Sequence, residues 1–310
     1  MRTLICGSLA YDTIMVFRDQ FKNHILPDNI HILNVSFLVP DMRREFGGCA
    51  GNIAFNLNLL GGQPVIMATV GDDFGPYASR LARLGLESTH VRSIGDTFTA
   101  QAFITTDLDD NQITAFHPGA MNYSHENSVT DAQGIQLGII APDGRDGMLE
   151  HARQFHAAGI PFVFDPGQGL PMFNGEELRQ FVELADYVAL NDYEAQLIQD
   201  RTGQTLAELS KRVKDLIVTL GANGSAIYID GKPTDIAPVK AKLVVDPTGC
   251  GDAYRSGLLY GIVNGLDWPT TGKLASVMGA LKVAQRGAQN HGLPSGELAH
   301  QLQAEFGITL

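Results

Sequence analysis

At 310 residues, the chain is long enough for one large domain, or for one domain with an appendage. Hydrophobic residues make up 44% and charged residues 18%, which supports a sizeable core and excludes long solvated tails. The formal net charge of −12 argues against nonspecific binding to nucleic acid or to an anionic membrane.

Any phosphate must therefore be held locally, by backbone N–H groups, a metal or a few cationic side chains. Cys6, Cys49 and Cys250 have neither zinc spacing nor the pattern of a disulfide framework, which suits a reducing, cytoplasmic setting. The start, Leu4-Ile5-Cys6, lacks the basic region and cleavage site of a signal peptide. No apolar run approaches the ~18 residues that span a bilayer.

The first element is a buried strand over residues 2–10, followed at once by Asp12. In an open α/β sheet, ligands sit beyond the carboxyl ends of strands. Asp12 is therefore either an acceptor for a diol or a turn residue. No GxGxxG follows, so a dinucleotide fold is unsupported. Residues 13–45 turn β-rich, with runs at 14–17 and 30–39 separated by turns at Asn23 and at 27–29. They read as strands of a small sheet outside the main domain. Arg43-Arg44 ends the segment, as solvated charges or as cations near a phosphate.

Gly47-Gly48-Cys49-Ala50-Gly51-Asn52 opens a helix that Gly61-Gly62 stops near Leu60. Its glycines allow close approach to a ligand, or simply tight helix–strand packing. A strand over 64–70 and an amphipathic helix through Leu86 come next. Residues 97–121 return to β texture, with 100–106 and 112–116 flanking a hairpin turn at 109–111. The two β segments, 13–45 and 97–121, read as one lid over a body made of 1–12, 46–96 and 122–310. Phe116, near the lid's end, either stacks on a base or packs.

From 135 onward strands (135–141, 161–165, 187–191, 215–220, 225–230) alternate with helices (146–158, 175–185, 192–200, 205–213). This predicts an α/β fold with a largely parallel, buried central sheet flanked by helices. Polar residues recur at strand ends. Asn191 and Glu194 share a face at a helix start, for indirect Mg²⁺ binding or for capping. Gly221 and Gly224 allow a tight turn near a nucleotide, or a hairpin. A last helix, 272–285, could wall a nucleotide pocket.

The densest chemistry lies at 245–259. An apolar strand end, Leu243 to Val245, turns through Pro247 and Gly249 into a helix. Unpartnered N–H groups and the dipole at such a helix start make an anion site. Asp252 within it is either a general base or a favourable first-turn charge.

Two ordered signatures now stand at either end of the chain. Gly47-Gly48, Asn52, Ala54, Gly61 and Gly71 form the first. Asp246-Pro247-Thr248-Gly249-Cys250-Gly251-Asp252 with Gly257 forms the second. In both, over essentially its full length, the chain resembles the ribokinase-like, PfkB-family carbohydrate and nucleoside kinases. Residues 7–12, 36–39, 116–121 and 191–194 resemble the bacterial adenosine and nucleoside kinase branch.

The resemblance implies a ribokinase-like fold with a small β-sheet lid and ATP-dependent phosphorylation of a purine nucleoside. Asp252 would be the catalytic base, with Gly249, Cys250 and Gly251 as the anion hole. Ser8, Asp12, Gly48 and Asn52 would contact the ribose, with Ser36, Phe116 and Gln168 also at the substrate. Asn191, Thr219, Gly221 and Gly224 would bind ATP. Glu194 would serve Mg²⁺ through water, and Asp246 and Thr248 a monovalent cation such as K⁺. Apart from the resemblance, a lid sheet has free edges that could pair, which makes a homodimer through the lid one open state.

The chain departs from the family at Cys250, where Ala or Gly is usual, a small residue expected to leave a backbone anion hole intact. It departs from the branch in ways that bear on the base at Ala102 (where some relatives carry a second stacking Phe) and at Met172 (where some carry Arg). Inosine and guanosine therefore stand beside adenosine as substrates. A sugar kinase and a non-catalytic metabolite-binding protein are the alternatives.

Overall fold

The computed structural model describes residues 1–25, 34–109, 111–293, 296, 300 and 303–304. In chain order its elements are β1 (Arg2–Cys6), β2 (Ala10–Val16), β3 (Asp41–Gly47), α1 (Cys49–Leu59), β4 (Gln63–Val70), α2 (Gly75–Arg83) and β5 (His90–Ser93). Next come β6 (Ala100–Thr106), β7 (Gln112–His117), β8 (Ile135–Ile140), α3 (Arg145–Ala157), β9 (Phe162–Phe164), α4 (Gly175–Leu184) and β10 (Tyr187–Asn191). The chain continues through α5 (Asp192–Thr202), α6 (Leu206–Leu209), β11 (Asp215–Thr219), β12 (Ser225–Ile229), β13 (Lys232–Ile236), α7 (Cys250–Val263) and α8 (Trp268–Val283).

A 9-stranded sheet runs β13-β12-β11-β10-β9-β8-β1-β4-β5. It is parallel from β11 to β5, and antiparallel where β12 meets β11 and β13. Its central strands are apolar on both sides because helices cover both faces. Leu4 and Cys6 of β1 join one core cluster with Phe155, Phe181 and Ile198 of α3, α4 and α5. Ile5 joins the opposite cluster with Ile53, Tyr77, Leu258 and Ala275 of α1, α2, α7 and α8. Helix α1 is buried on nearly every side, which explains its small and apolar composition.

The strand order reverses between β1 and β8. From β1 the chain steps one way to β4 and β5, and from β8 the other way to β11. A crevice for ligands belongs at this switch point. The Ser8 N–H donates across it to the Pro142 carbonyl at 3.1 Å.

The second sheet is 4-stranded, in the order β3-β2-β6-β7. Register places Asp12 opposite Glu45 on β3 and opposite Ala102 on β6, and Ala102 opposite Phe116 on β7. Directly paired residues share a face, so Glu45, Asp12, Ala102 and Phe116 form one row. Met42, Phe103 and Ile113 lie on the other face and are exposed.

Several expectations are corrected. The strand expected over 2–10 is two strands, and the chain leaves the main sheet at Gly7 to join the small one at Ala10. Asp12 therefore sits inside a strand, not in a turn. Of the run at 30–39, and the turn at 27–29, residues 27–33 lie outside the described residues. Its remainder, 34–39, is not a strand. The strand is instead Asp41–Gly47, whose charged residues conceal it in a sheet open to water on one face.

The hairpin between β6 and β7 is present, with residue 110 of its turn outside the described residues. Residues 243–245 are not a strand end. Leu243 and Val244 are exposed, and the Val245 N–H donates to the Val283 carbonyl. The helix over 205–213 shortens to Leu206–Leu209, and α8 begins earlier than 272, at Trp268, behind an Asp267 cap.

Candidate functional site

Helix α7 is N-capped by Gly249, whose φ of 78° lies in the left-handed region. A Cβ there would meet the Ala288 Cβ at 2.7 Å. The turn needs glycine for both reasons. The Cys250 N–H donates to the Pro247 carbonyl at 3.1 Å, and the Ala253 N–H donates to the Gly249 carbonyl. Between them, the N–H groups of Gly251 and Asp252 belong to a first turn whose donors have no intrahelical acceptor. Nothing lies within 4 Å of a Cβ built on exposed Gly251, so an anion can reach this backbone.

Asp252 is in that turn, half-buried. Its Oδ2 accepts from Asn52 Nδ2 at 2.8 Å, joining residues 200 apart in sequence. Burial pushes its carboxyl up to about 6; the Asp165 carboxylate adds to this, while the Asn52 donor, Arg255 and Cys49 oppose it. A carboxylate tuned this way can accept a proton near neutral pH.

Asn52 is itself held. Its Oδ1 accepts from Gln289 Nε2 at 3.0 Å, and the same Nε2 donates to the Tyr77 hydroxyl at 2.7 Å. The Tyr77 hydroxyl donates to the Gly47 carbonyl at 2.7 Å, at the end of β3. The amide oxygen of Asn52 is thus committed, which turns its NH₂ toward Asp252.

Asp12 lies against this centre. A Cβ on Gly47 would meet Asp12 Oδ2 at 2.4 Å, so glycine is needed for the carboxylate to lie flat on the loop. Burial, then Glu45 and Asp246, push Asp12 up to about 6. A Cβ on Gly48, whose φ is 85°, would meet the Ser8 carbonyl at 2.5 Å, so this position too requires glycine. The Ser8 hydroxyl accepts the Cys49 N–H at 3.2 Å. The Cys49 thiol is pushed well above its ordinary range by burial and then by Asp252, Asp165 and Asp12. Three carboxylates from different parts of the chain therefore converge on one thiol. Thiols so raised are inert packing groups.

A second cluster sits at the neighbouring strand ends. Arg255, three residues after Asp252, is buried and donates through Nη2 to Asp165 Oδ1 at 3.0 Å. Glu194 Oε2 is 4.0 Å from the same nitrogen. Burial works against the Arg255 charge, but the Asp165 ion pair and hydrogen bond, with Glu194 and Tyr254, together outweigh it and its pKa is raised. Arg255 Nε and Nη1 find no acceptor among the described residues, so the group keeps unused donor capacity. Burial, then Asp165, raises Glu194. Asn191 and Glu194 form a complete capping box on α5, in which both Glu194 oxygens accept from Asn191. Capping, one of the two readings open for the pair, is thus present. Two carboxylates against one guanidinium leave the cluster negative, and their remaining acceptor capacity suits a hydrated divalent cation.

Asn191 and Thr219 are register partners at adjacent strand ends. Gly221 has φ of 56° and open space around it. Gly224 has φ of 90°, and a Cβ there would meet the Ile236 carbonyl at 2.1 Å; its carbonyl accepts the Leu220 N–H, so it closes the hairpin turn between β11 and β12. Asp246 is committed on both carboxylate oxygens, to the Thr248 N–H and the Gly287 N–H at 2.9 Å each. Its carbonyl accepts from Lys282 Nζ at 2.7 Å. Phe116 is 52% exposed and free to receive a ligand ring. Gln168, in the turn after β9, and Ser36, in the segment before β3, are exposed. Neither hydrogen-bonds to the other candidates among the described residues.

Sequence reading missed Tyr77, Asp165, Arg255, Lys282 and Gln289 as parts of the site. Arg255 carried a signal, because its spacing from Asp252 puts both on one helix face. Gln289 and Lys282 carried none, since their partners are set by tertiary contact.

The comparisons agree with this geometry. The family model described as pfkB family carbohydrate kinase matches residues 10–295. The chain is 30% identical over 314 residues to a nucleoside kinase of Methanothermobacter thermautotrophicus, covering 98% of this chain and 96% of that one. It is 53% identical to Burkholderia thailandensis nucleoside kinase solved in complex with inosine, with a TM-score of 0.91 and 99% coverage of both chains. The same enzyme in complex with ADP and inosine superposes with a TM-score of 0.88 at 55% identity, over 99% of this chain and 97% of that one. A family match of this extent, joined to a helix-borne carboxylate at an open anion turn, makes the chain a phosphotransferase of the pfkB carbohydrate kinase family.

Proposed function

We propose that the protein transfers the γ-phosphoryl group of ATP to the 5′-hydroxyl of a purine nucleoside, adenosine, inosine or guanosine. The Asn52–Asp252 hydrogen bond carries this reading, because it joins the two signature segments into one centre with a tuned carboxylate at an open anion turn. The nearest support for the substrate is that similar proteins are named nucleoside kinases and that one was solved with inosine.

In this reading the nucleoside lies between the body and the small sheet. Asp12 and Asn52 take the ribose hydroxyls, with Ser8 and Gly48 beneath. Phe116 stacks on the base, and small Ala102 beside it leaves room for different purines. Ser36 and Gln168 complete the substrate side when the lid, 13–45 and 97–121, closes over the body. ATP lies along Asn191, Thr219, Gly221 and Gly224.

The Asp252 carboxylate takes the proton of the 5′-hydroxyl as its oxygen bonds to the γ-phosphorus. The bond from that phosphorus to the bridging oxygen breaks and ADP leaves. With the Cys250 N–H taken by the Pro247 carbonyl, the N–H groups of Gly249 and Gly251 on either side of it face the charge that develops. Glu194 and Asp165 would hold Mg²⁺ through water; when bound, it neutralises phosphate charge. Closure excludes water that would otherwise take the phosphoryl group. The three free thiols suit a cytoplasmic setting.

The test is ATP consumption against adenosine, inosine, guanosine, cytidine, ribose and fructose with Mg²⁺, with Asp252→Asn in parallel. Turnover with purine nucleosides, falling about 100- to 10,000-fold in the variant, is the expected result. Turnover with free sugars alone would make this a sugar kinase and Phe116 a packing residue. A folded protein that binds these compounds without turnover would be a metabolite-binding protein.

A further inference from the structure

Lys282 is fully buried at the end of α8. Lysine almost never lies there unless its charge is answered. Among the described residues its two acceptors are both main-chain carbonyls, Asp246 at 2.7 Å and Gln285 at 3.1 Å. Burial lowers its pKa, while the Asp246 carboxylate and Cys250 favour its charged form. His291 feels the same charge.

The two carbonyls belong to the two turns that shape the anion site from behind. Asp246 leads through Pro247 into Gly249-Cys250-Gly251, and the Cys250 N–H is tied to Pro247. Gln285 leads to Gly287, whose N–H donates to Asp246 Oδ2 at 2.9 Å. The N–H groups of both Val245 and Asp246 converge on the Val283 carbonyl, one residue after Lys282. One ammonium thus fastens both turns together beneath the head of α7.

Convergent main-chain carbonyls are also the ligands that replace the hydration shell of K⁺. A monovalent cation was expected at Asp246 and Thr248. Here both Asp246 carboxylate oxygens accept N–H groups and its carbonyl holds an ammonium. These residues do not fit a free cation.

We infer that the Lys282 ammonium is a tethered substitute for a monovalent cation, a positioning residue that holds the Asp246 and Gln285 turns so that the Gly249–Gly251 backbone meets developing phosphate charge. Phosphotransfer then needs no added K⁺. The inference rests on the phosphotransfer reading, but part of its test is read without turnover.

The experiment measures thermal melting and steady-state kinetics in KCl, NH₄Cl, LiCl and tetramethylammonium chloride at equal ionic strength. It compares the natural chain with Lys282→Ala and Lys282→Met. For the natural chain, melting temperature and kcat are expected to be the same in KCl and tetramethylammonium chloride. For Lys282→Ala, kcat is expected to fall about 10- to 100-fold with KM for the nucleoside little changed. K⁺ or NH₄⁺, but not Li⁺, should recover part of the loss and raise its melting temperature. Lys282→Met fills the space without the charge and is expected to lose kcat without recovery.

Activation or a raised melting temperature of the natural chain by K⁺ over tetramethylammonium would overturn the inference. So would a Lys282→Ala chain that is fully active, or one whose loss no cation recovers. If neither variant folds, the natural chain's melting series still decides. If the natural chain shows no turnover with any acceptor, the phosphotransfer reading fails, and the cation-dependent melting of Lys282→Ala still reports on the carbonyl cradle.

Discussion

In the proposed reaction Asp252 takes the proton through its free carboxylate, so its own protonation would set the acid side of the rate. Burial pushes it up to about 6, and a base is lost as pH falls through its pKa. The rate should therefore rise with pH through about 6 and then level. Gln289 acts one step back. Its Nε2 commits the Asn52 oxygen, which leaves the Asn52 NH₂ for Asp252. In Gln289→Leu the Asn52 amide loses that restraint and the donor to Asp252 weakens. Because this donor lowers the Asp252 pKa, its loss should move the acid limb of the pH profile to higher pH, together with a lower kcat. An unmoved limb in a pH–rate profile of Gln289→Leu would show that the amide chain does not tune the base.

At the scale of elements, the head of α7 separates two glycines that look alike in sequence. Gly249 has positive φ and touches Ala288, so Gly249→Ala strains the backbone by about 1–3 kcal/mol before any clash is relieved. Its melting temperature should fall and its activity with it. Gly251 has open space and helical backbone, so Gly251→Ala should melt no lower than the natural chain. Its added methyl group faces the anion approach, and kcat should fall about tenfold or more. Melting curves beside steady-state kinetics for the two variants check the contrast. Equal melting losses would mean that Gly251 is structural after all.

For the whole molecule, the small sheet is joined to the body at Gly7–Leu9, at Gly47–Gly48, between β5 and β6 and after β7, and it carries the Glu45-Asp12-Ala102-Phe116 row. Adding a nucleoside with a non-hydrolysable ATP analogue should lower the radius of gyration in small-angle scattering as the lid closes. The exposed Met42, Phe103 and Ile113 on its far face suit a second copy of the chain. Sedimentation equilibrium should then give a dimer, which Phe103→Glu and Ile113→Glu together should weaken. A natural chain that sediments as a monomer would remove that proposal.

Much of this was legible without coordinates, for local reasons. Apolar runs buried on both faces identify the central strands, since a sheet covered by helices on both sides leaves them no polar face. Glycines at 47–48 and 249–251 mark turns where the backbone must come close to something; the alternation of strands and helices carried the fold, and the resemblance in the two ordered signatures carried the family, while the residues around Asp252 left base and first-turn charge both open. What the chain conceals depends on contacts between distant residues. Asp41–Gly47 becomes a strand by pairing with β2 despite its charges, whereas Leu243 to Val245 are apolar yet have no partner strand. The amide chain from Tyr77 through Gln289 and Asn52 spans more than two hundred residues, and the Lys282 ammonium finds its carbonyls 36 residues upstream and 3 residues on. Spacing along a chain determines which backbone conformations are open. The charge environment of the site was decided by tertiary packing, because burial and neighbouring charges shift a side chain's chemistry only once the fold has brought them together.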